Sequence, residues 1–381
     1  MTSRIKISSF FDGGNITVID AAEPDNIRVS IPKDTESDFY QWFYFRLQGG
    51  MGEQCSIYFE NAKGAAYPDG WENYQAVASY DREHWFRVPT NYHDGVLNIE
   101  HQPEQDSVYY AYFAPYSYER HLDMLSWASS HEDCVTHHLG ETAEGRDITL
   151  LEVSKTQGLA KNIWITARQH PGETMAEWFV EGLLERLFDE SHPVARAILK
   201  QCRFYIVPNM NPDGGVHGNL RVNSKGVNLN REWKRSSQEN SPEVLAVQKK
   251  MAEVGVDMYL DIHGDEALPV NFVDGCGGVP NFDSRMKAME ALFSETLLAV
   301  SPDFQTEKGY EQDHFGEANL SVAAKWVGNT YRCLSLTLEM PFKDNENLPD
   351  EEVGWSPERS KILGADVLYP IYQVVNSKNM S

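Results

Sequence analysis

"NIWITARQHPGETMAEWFVEGLLERLFDE", residues 162–190, changes its period once, and that change decides the fold. "NIWITAR" is a short apolar, strand-like run, and the segment beginning at Glu173 has the spacing of an amphipathic helix. The same alternation continues on both sides. "ITLLEVS", "CRFYIVP", "DMYLDIH" and "YRCLSLTLEM" read as strands, and "SRMKAMEALFSETLLAV" reads as a helix. Strands alternating with helices are the mark of an α/β domain.

The first ~115 residues read differently. "YQWFYFRL", "CSIYFE", "HWFRV", "GVLNIE" and "SVYYAYF" are strands between turn residues, and "RIKISSFF" and "NITVID" flank "DGG" as a hairpin would. We expect an all-β, sandwich-like domain over 1–115 and an α/β domain over 116–381, joined by the helix in "FAPYSYERHLDMLSWASS". Trp42, Trp71, Trp85 and Tyr109 could bind carbohydrate or peptide, but they better suit a small β core and its edges, since aromatics favour strands.

Composition narrows the function. With 381 residues, 41% hydrophobic, the chain can bury a core in each of two domains. A net charge of −24 without a Lys/Arg cluster argues against nucleic acid. No apolar run reaches the ~18 residues of a membrane helix, and "MTSRIKISSFFDGG" has charges where a signal peptide is apolar. We expect a soluble cytoplasmic protein. The five cysteines lack Cys-x-x-Cys spacing and read as reduced, mostly buried thiols. The acidic run "DNENLPDEE", 344–352, reads as a solvated loop.

Chemistry is expected at the carboxyl ends of the strands. His170 follows "NIWITAR", and Glu173 stands three residues on, across Pro171-Gly172, at the helix entry. Alone, the pair is equally a helix N-terminus whose acid suits the dipole. His263, at the end of "VDMYLDIH", changes the reading. Two histidines and a glutamate hold zinc and leave a fourth position for water. His137 and His138 point to opposite faces of a strand, and His192 starts a helix, so these suit the role less. Glu339 ends the apolar strand "CLSLTLEM" at the same edge, placed as a general base. Between the ligands, "PNMNPDGGVHGNLRVNSKGVNLNREW" carries Arg221, Asn230 and Arg231. These would clamp an anion or stabilise an oxyanion, or simply form a basic surface loop.

"GETAEGRDITLLEV", "RQHPGETMAEW", "PNMNPDGG", "GNLRVNSKGVNLNREW", "DIHGDE" and "LTLEM" occur in the order in which M14, carboxypeptidase A-like, zinc carboxypeptidases carry their motifs. "HPGE", "LNREW" and "TLE", behind an aromatic-rich β region, most resemble the cytosolic carboxypeptidase branch. The resemblance implies an α/β/α domain with a mixed eight-stranded sheet and one Zn²⁺ per chain. His170, Glu173 and His263 would be its ligands, and Glu339 the general base or acid. Arg221 would polarise the scissile carbonyl, while Asn230 and Arg231 would grip the terminal carboxylate of a peptide or protein. Cytosolic relatives that trim polyglutamate use a basic group to select the terminal side chain. Lys325 lies in the corresponding segment and so points to Glu or Asp, although a helix surface or core edge would explain it too. Digestive members place a mobile tyrosine upstream of the catalytic glutamate. "HFGEANLSVAAKW" has none, and Tyr310, the nearest upstream, is left without a role.

Two other readings stand beside the peptidase: an aspartoacylase-like zinc amidohydrolase of N-acyl amino acids, and a catalytically silent peptide-binding protein. Oligomeric state and natural substrate are not legible.

Overall fold

The computed structural model describes residues 5–380, and its strands fall into three sheets. One N-terminal sheet orders β1 (Lys6–Ser8), β4 (Tyr44–Gln48), β10 (Ser107–Ala111), β6 (Val77–Ser79) and β7 (Phe86–Arg87). The other orders β2 (Thr17–Asp20), β3 (Ile27–Ser30), β5 (Cys55–Phe59), β9 (Val96–His101) and β8 (Thr90–His93). Alternate residues such as Phe45, Leu47, Ile57, Phe59, Leu97 and Ile99 are fully buried, as two inner faces require. Trp42, Trp71 and Trp85 are buried with them, and Tyr109 is half-buried against the same core.

The expected hairpin around Asp12-Gly13-Gly14 does not form. β1 pairs with β4 and β2 with β3, in different sheets. The turn is held by other partners: Gly13 N–H donates to Val216 O at 3.1 Å, and Asp12 accepts the Tyr118 N–H at 2.6 Å. Those bonds tie the turn to the downstream half of the chain.

α1 (Tyr118–Ser129) leads to the third sheet, ordered β11 (Cys134–Glu141), β12 (Asp147–Val153), β14 (Cys202–Val207), β13 (Lys161–Ala167), β15 (Met258–Asp265), β17 (Leu334–Pro341) and β16 (Phe272–Asp274). The sheet is mixed: β14, β13, β15 and β17 run parallel, and the outer strands run antiparallel. It has seven strands, not the eight the resemblance implied. Beside the edge strand β16 an isolated bridge, Asn271 to Phe304, is too short to continue as a ladder.

Ile163, Ile165, Phe204, Leu260 and Leu336 pack with α2 (Met175–Phe188), α6 (Ser284–Val300), α8 (Pro357–Asp366) and α9 (Leu368–Val375). Short α3 (Pro193–Ile198) and α4 (Pro212–His217) flank β14 in the chain. Trp164, Tyr205 and Tyr259, one residue out of step with the first set, pack with α5 (Pro242–Val254) and α7 (Ala323–Tyr331) on the opposite face. Covered on both faces, β15 and β17 are buried throughout. α2 and α8 touch at the backbone: a Cβ on Gly182 would come within 2.0 Å of Lys361 O, and one on Gly364 within 2.0 Å of Phe179 O.

"DNENLPDEE" is only partly solvated. Asn345 is fully buried, and Asp344 pairs with Arg87 and Arg359, because this loop also packs against β7. All five cysteines are free and buried. Among the described residues no helix is long and apolar enough to cross a membrane.

Topology fixes where a ligand can sit. After β13 the chain returns to β14 on one side, while after β15 it goes to β16 and then β17 on the other. The crevice between β13 and β15 is therefore a topological switch point, open at their carboxyl ends.

Candidate active site

At the end of β13 the chain turns through Arg168, a non-glycine residue at φ 57°. That left-handed conformation costs about 1–2 kcal/mol. The Arg168 side chain holds it by donating to Tyr116 O at 2.8 Å and Pro171 O at 3.0 Å and by pairing with the buried Glu177. The corner then brings round His170 and, across Pro171-Gly172, Glu173, one residue before the N-cap Thr174 of α2. His263 arrives on the neighbouring strand β15.

His170, Glu173 and His263 converge, their ligand atoms all within 4.8 Å of one another. Glu173 Oε1 lies 2.6 Å from His170 Nδ1, Glu173 Oε2 lies 2.7 Å from His263 Nδ1, and the two Nδ1 atoms are 3.2 Å apart. Both rings are held from behind through Nε2. Asn228 Oδ1 is 3.1 Å from that of His170, and Asp261 Oδ2 is 2.8 Å from that of His263. Asp261 is fixed in turn by Thr166 Oγ1 at 2.7 Å and Gln169 Nε2 at 2.6 Å. Inward nitrogens with outward partners are the arrangement that orients histidines on a metal. All three side chains are buried.

The electrostatics agree. Burial pushes His170 down to about 4, helped by the Arg221 charge, so its ring is neutral. Burial opposes charge on His263, but Asp261 and Glu173 outweigh it and raise its pKa. Burial likewise opposes charge on Glu173, and the two histidines outweigh it and hold the carboxyl below its usual range. The cluster thus attracts positive charge, which a bound metal would supply in place of a proton.

Glu339 is the register partner of His263 in the parallel β15–β17 pair. Burial pushes its carboxyl well above the usual range; His263 opposes the shift, and Glu173, Asp265 and Glu266 add to it. Its Oε2 is buried with no hydrogen-bond partner among the described residues. With His170 and Glu173, Glu339 lines a cavity of about 420 Å³ that also takes in Arg221, Asn230, Arg231, Lys325, Tyr67 and Tyr310. Arg221 NH1 lies 3.8 Å from Glu173 Oε1, with the guanidinium 5.1 Å from the Tyr67 ring centroid. Arg231 NH1 donates to Asn230 O at 2.7 Å, and Asn230 Oδ1 accepts the Ala323 N–H at 2.8 Å. Lys325 is already paired: its Nζ lies 3.0 Å from Asp274 Oδ2 and 3.1 Å from Asp313 Oδ2. His137 and His138 lie on the outer strand β11, within 2.8 Å of Glu152 Oε2 and 3.3 Å of Asp147 Oδ1, and His192 caps α3.

The sequence reading missed several neighbours. Asp261 had a signal, since it stands two residues before His263 and so on the same face of the strand. Tyr67, from the sandwich, had none. Tyr310 was named without a role, and its hydroxyl reaches Glu339 and Asp265.

Comparisons with known proteins show the family. Residues 7–113 match the family model of the cytosolic carboxypeptidase N-terminal domain, and residues 121–365 match that of zinc carboxypeptidases. The crystal structure of a metallo-carboxypeptidase from Burkholderia cenocepacia is 51% identical, with a TM-score of 0.96 over 98% of this chain and 99% of that one. A metallo-carboxypeptidase from Pseudomonas aeruginosa, solved in complex with (2-guanidinoethylmercapto)succinic acid, is 45% identical, with a TM-score of 0.95 over 99% and 100% of the two chains. Cytosolic carboxypeptidase 6 of Caenorhabditis elegans is 25% identical, over 87% of this chain and 77% of its own length. The chain therefore belongs to the M14 zinc carboxypeptidases, carries the N-terminal domain of their cytosolic branch, and is a metallocarboxypeptidase.

Proposed function

We propose that this chain removes residues from the carboxyl end of peptides or proteins, using one zinc ion held by His170, Glu173 and His263. The convergence of these three buried side chains beside Glu339 carries the reading. Zinc bound there would polarise the scissile carbonyl and acidify a water. Glu339 would take the proton of the attacking water and pass it to the departing amine. Arg221 would face the developing oxyanion, and Asn230 and Arg231 would hold the terminal carboxylate, as guanidinium and amide donors suit. The Pseudomonas relative's ligand, a succinic acid derivative, is in keeping with such an anion grip.

The substrate's final side chain would extend toward Lys325, which favours Glu or Asp there. The cytoplasmic setting is part of this proposal and is supported by five cysteines that are all free and buried.

Peptides differing only in their last residue, followed by mass spectrometry with zinc, with chelator and with Glu339→Gln, test the reading. Zinc-dependent shortening from the carboxyl end, lost in the variant, is expected. Shortening that survives chelation, or an unaltered rate in Glu339→Gln, would overturn it. Hydrolysis of N-acyl amino acids with no peptide cleaved would favour an amidohydrolase instead.

A further inference from the structure

The turn that carries Arg221 is held from the other domain. Asp34, buried in the segment after β3, directs both carboxylate oxygens at three consecutive backbone N–H groups. Oδ1 accepts from Leu220 at 2.7 Å, and Oδ2 accepts from Arg221 at 2.7 Å and Val222 at 3.3 Å. Successive N–H groups aimed at one anion form a nest, and here the anion is a side chain of the same protein. Thr35 continues the tether, donating its N–H and its hydroxyl to Asn219 Oδ1 at 3.1 and 3.2 Å. Asn219 Nδ2 then closes the turn from within, on Val222 O at 3.0 Å.

The sandwich also supports the side chain. The Tyr67 ring lies beside the Arg221 guanidinium, and Gln41 fixes Tyr67 through both backbone groups, accepting its N–H at 2.8 Å and donating to its carbonyl at 3.0 Å. Arg221 is thus fixed by two separate segments of the sandwich, one at its backbone and one at its guanidinium. Within the α/β half its own turn has a further link in Gly172 N–H to Leu220 O at 2.9 Å, which joins it to the corner presenting His170 and Glu173.

We propose that Asp34 is a positioning residue for Arg221: by holding the backbone of 220–222 it sets where the guanidinium stands in the cavity, making the sandwich part of the catalytic apparatus. The proposal rests on the reading of Arg221 as the group facing the oxyanion. A simple domain-to-domain adhesive would use the same bonds, so the test must separate positioning from adhesion.

A double-mutant cycle does so. Asp34→Asn, Arg221→Ala and the double variant are compared for kcat, KM, zinc content and thermal midpoint on one peptide. With Arg221 in place, Asp34→Asn is expected to lower kcat by roughly tenfold to a hundredfold, the scale of a displaced catalytic group, with zinc content kept and KM little changed. Added to Arg221→Ala, it should cost less than about twofold, since no guanidinium remains to position. Equal losses in both backgrounds, or a fall in thermal midpoint with kcat intact, would overturn the proposal. Asp34→Glu keeps a carboxylate but moves it by one methylene, and replaces Asp34→Asn in the cycle should that variant not fold. Arg221→Ala cleaving as fast as the unaltered enzyme would remove the underlying reading, and the proposal with it. That failure is visible in the single variant, before the cycle is closed.

Discussion

The Tyr310 hydroxyl lies 3.3 Å from Glu339 Oε1 while donating to Asp265 Oδ2 at 2.7 Å. The ring is partly exposed, but desolvation of its hydroxyl end and the charges of Glu339 and Asp265 push its phenol far above the ordinary range, so it stays a donor at any working pH. Its ring is held edge-on against Phe272, centroids 4.9 Å apart. Tyr310→Phe keeps that packing and removes only the donor. We expect kcat/KM to fall about tenfold or more, from the loss of a ~1.5–3 kcal/mol hydrogen bond to a charged group, with zinc content unchanged. An unchanged kcat/KM would make Tyr310 a packing residue alone.

Asp261 does not line the cavity, yet it should govern the metal. It holds His263 through Nε2 and leaves Nδ1 for the cation, so Asp261→Asn weakens the orientation of that ring and lowers its basicity. Zinc affinity, measured by competition with a chromogenic chelator, should drop by roughly 10–100-fold. Thr166 and Gln169, which fix Asp261, should matter less when replaced singly, because each leaves the other in place. An affinity unchanged by Asp261→Asn would show that the ring needs no such support.

Asp34 also makes a pH prediction. Burial raises its carboxyl from 3.8 to about 6, even against three backbone N–H groups. Between those values the folded protein holds a proton that the unfolded chain has lost, so this group's contribution to stability falls as pH rises through the window. The asparagine variant lacks that slope. The destabilisation caused by Asp34→Asn should therefore be greatest near pH 4 and shrink by up to ~3 kcal/mol towards pH 7, in urea titrations at each pH. A penalty independent of pH would mean that Asp34 is not protonated in the folded state.

These cases also show what a single chain makes legible. His170, Glu173, His263 and Glu339 could be picked out because each stands at or just past the end of an apolar strand, a position set by local pattern. Topology then brings those ends to one edge, and the convergence needs no further signal. Asp34 and Tyr67 could not be found that way. Asp34 meets its partners 186 to 188 residues downstream, and a contact at that separation leaves no periodic trace. The misread turn at Asp12-Gly13-Gly14 failed for the same reason: its composition specifies a turn, but its partners Val216 and Tyr118 decide which. Lys325 was legible as a charge and not as an ion pair, since Asp313 comes from a loop and Asp274 from the edge strand.

That pairing sets the last prediction. Burial opposes charge on Lys325, but Asp274 and Asp313 outweigh it, so the lysine is cationic and already matched by two acids. For Lys325 to receive the carboxylate of a terminal Glu or Asp, one acid must yield. Asp313 is the more exposed of the two, its side chain 36% accessible against 19% for Asp274, and so has the cheaper alternative in water. Asp313→Asn should then raise kcat/KM for Glu-terminated peptides several-fold while leaving Ala-terminated ones unchanged, since an exposed pair is worth about 1 kcal/mol or less. Lys325→Met should level the two substrates. Competition assays with paired peptides read both ratios at once. If neither substitution moves the Glu-to-Ala ratio, Lys325 serves only to join α7 to β16. If Lys325→Met instead opens the site to Lys-terminated peptides, the acids of this wall set specificity and the lysine masks them.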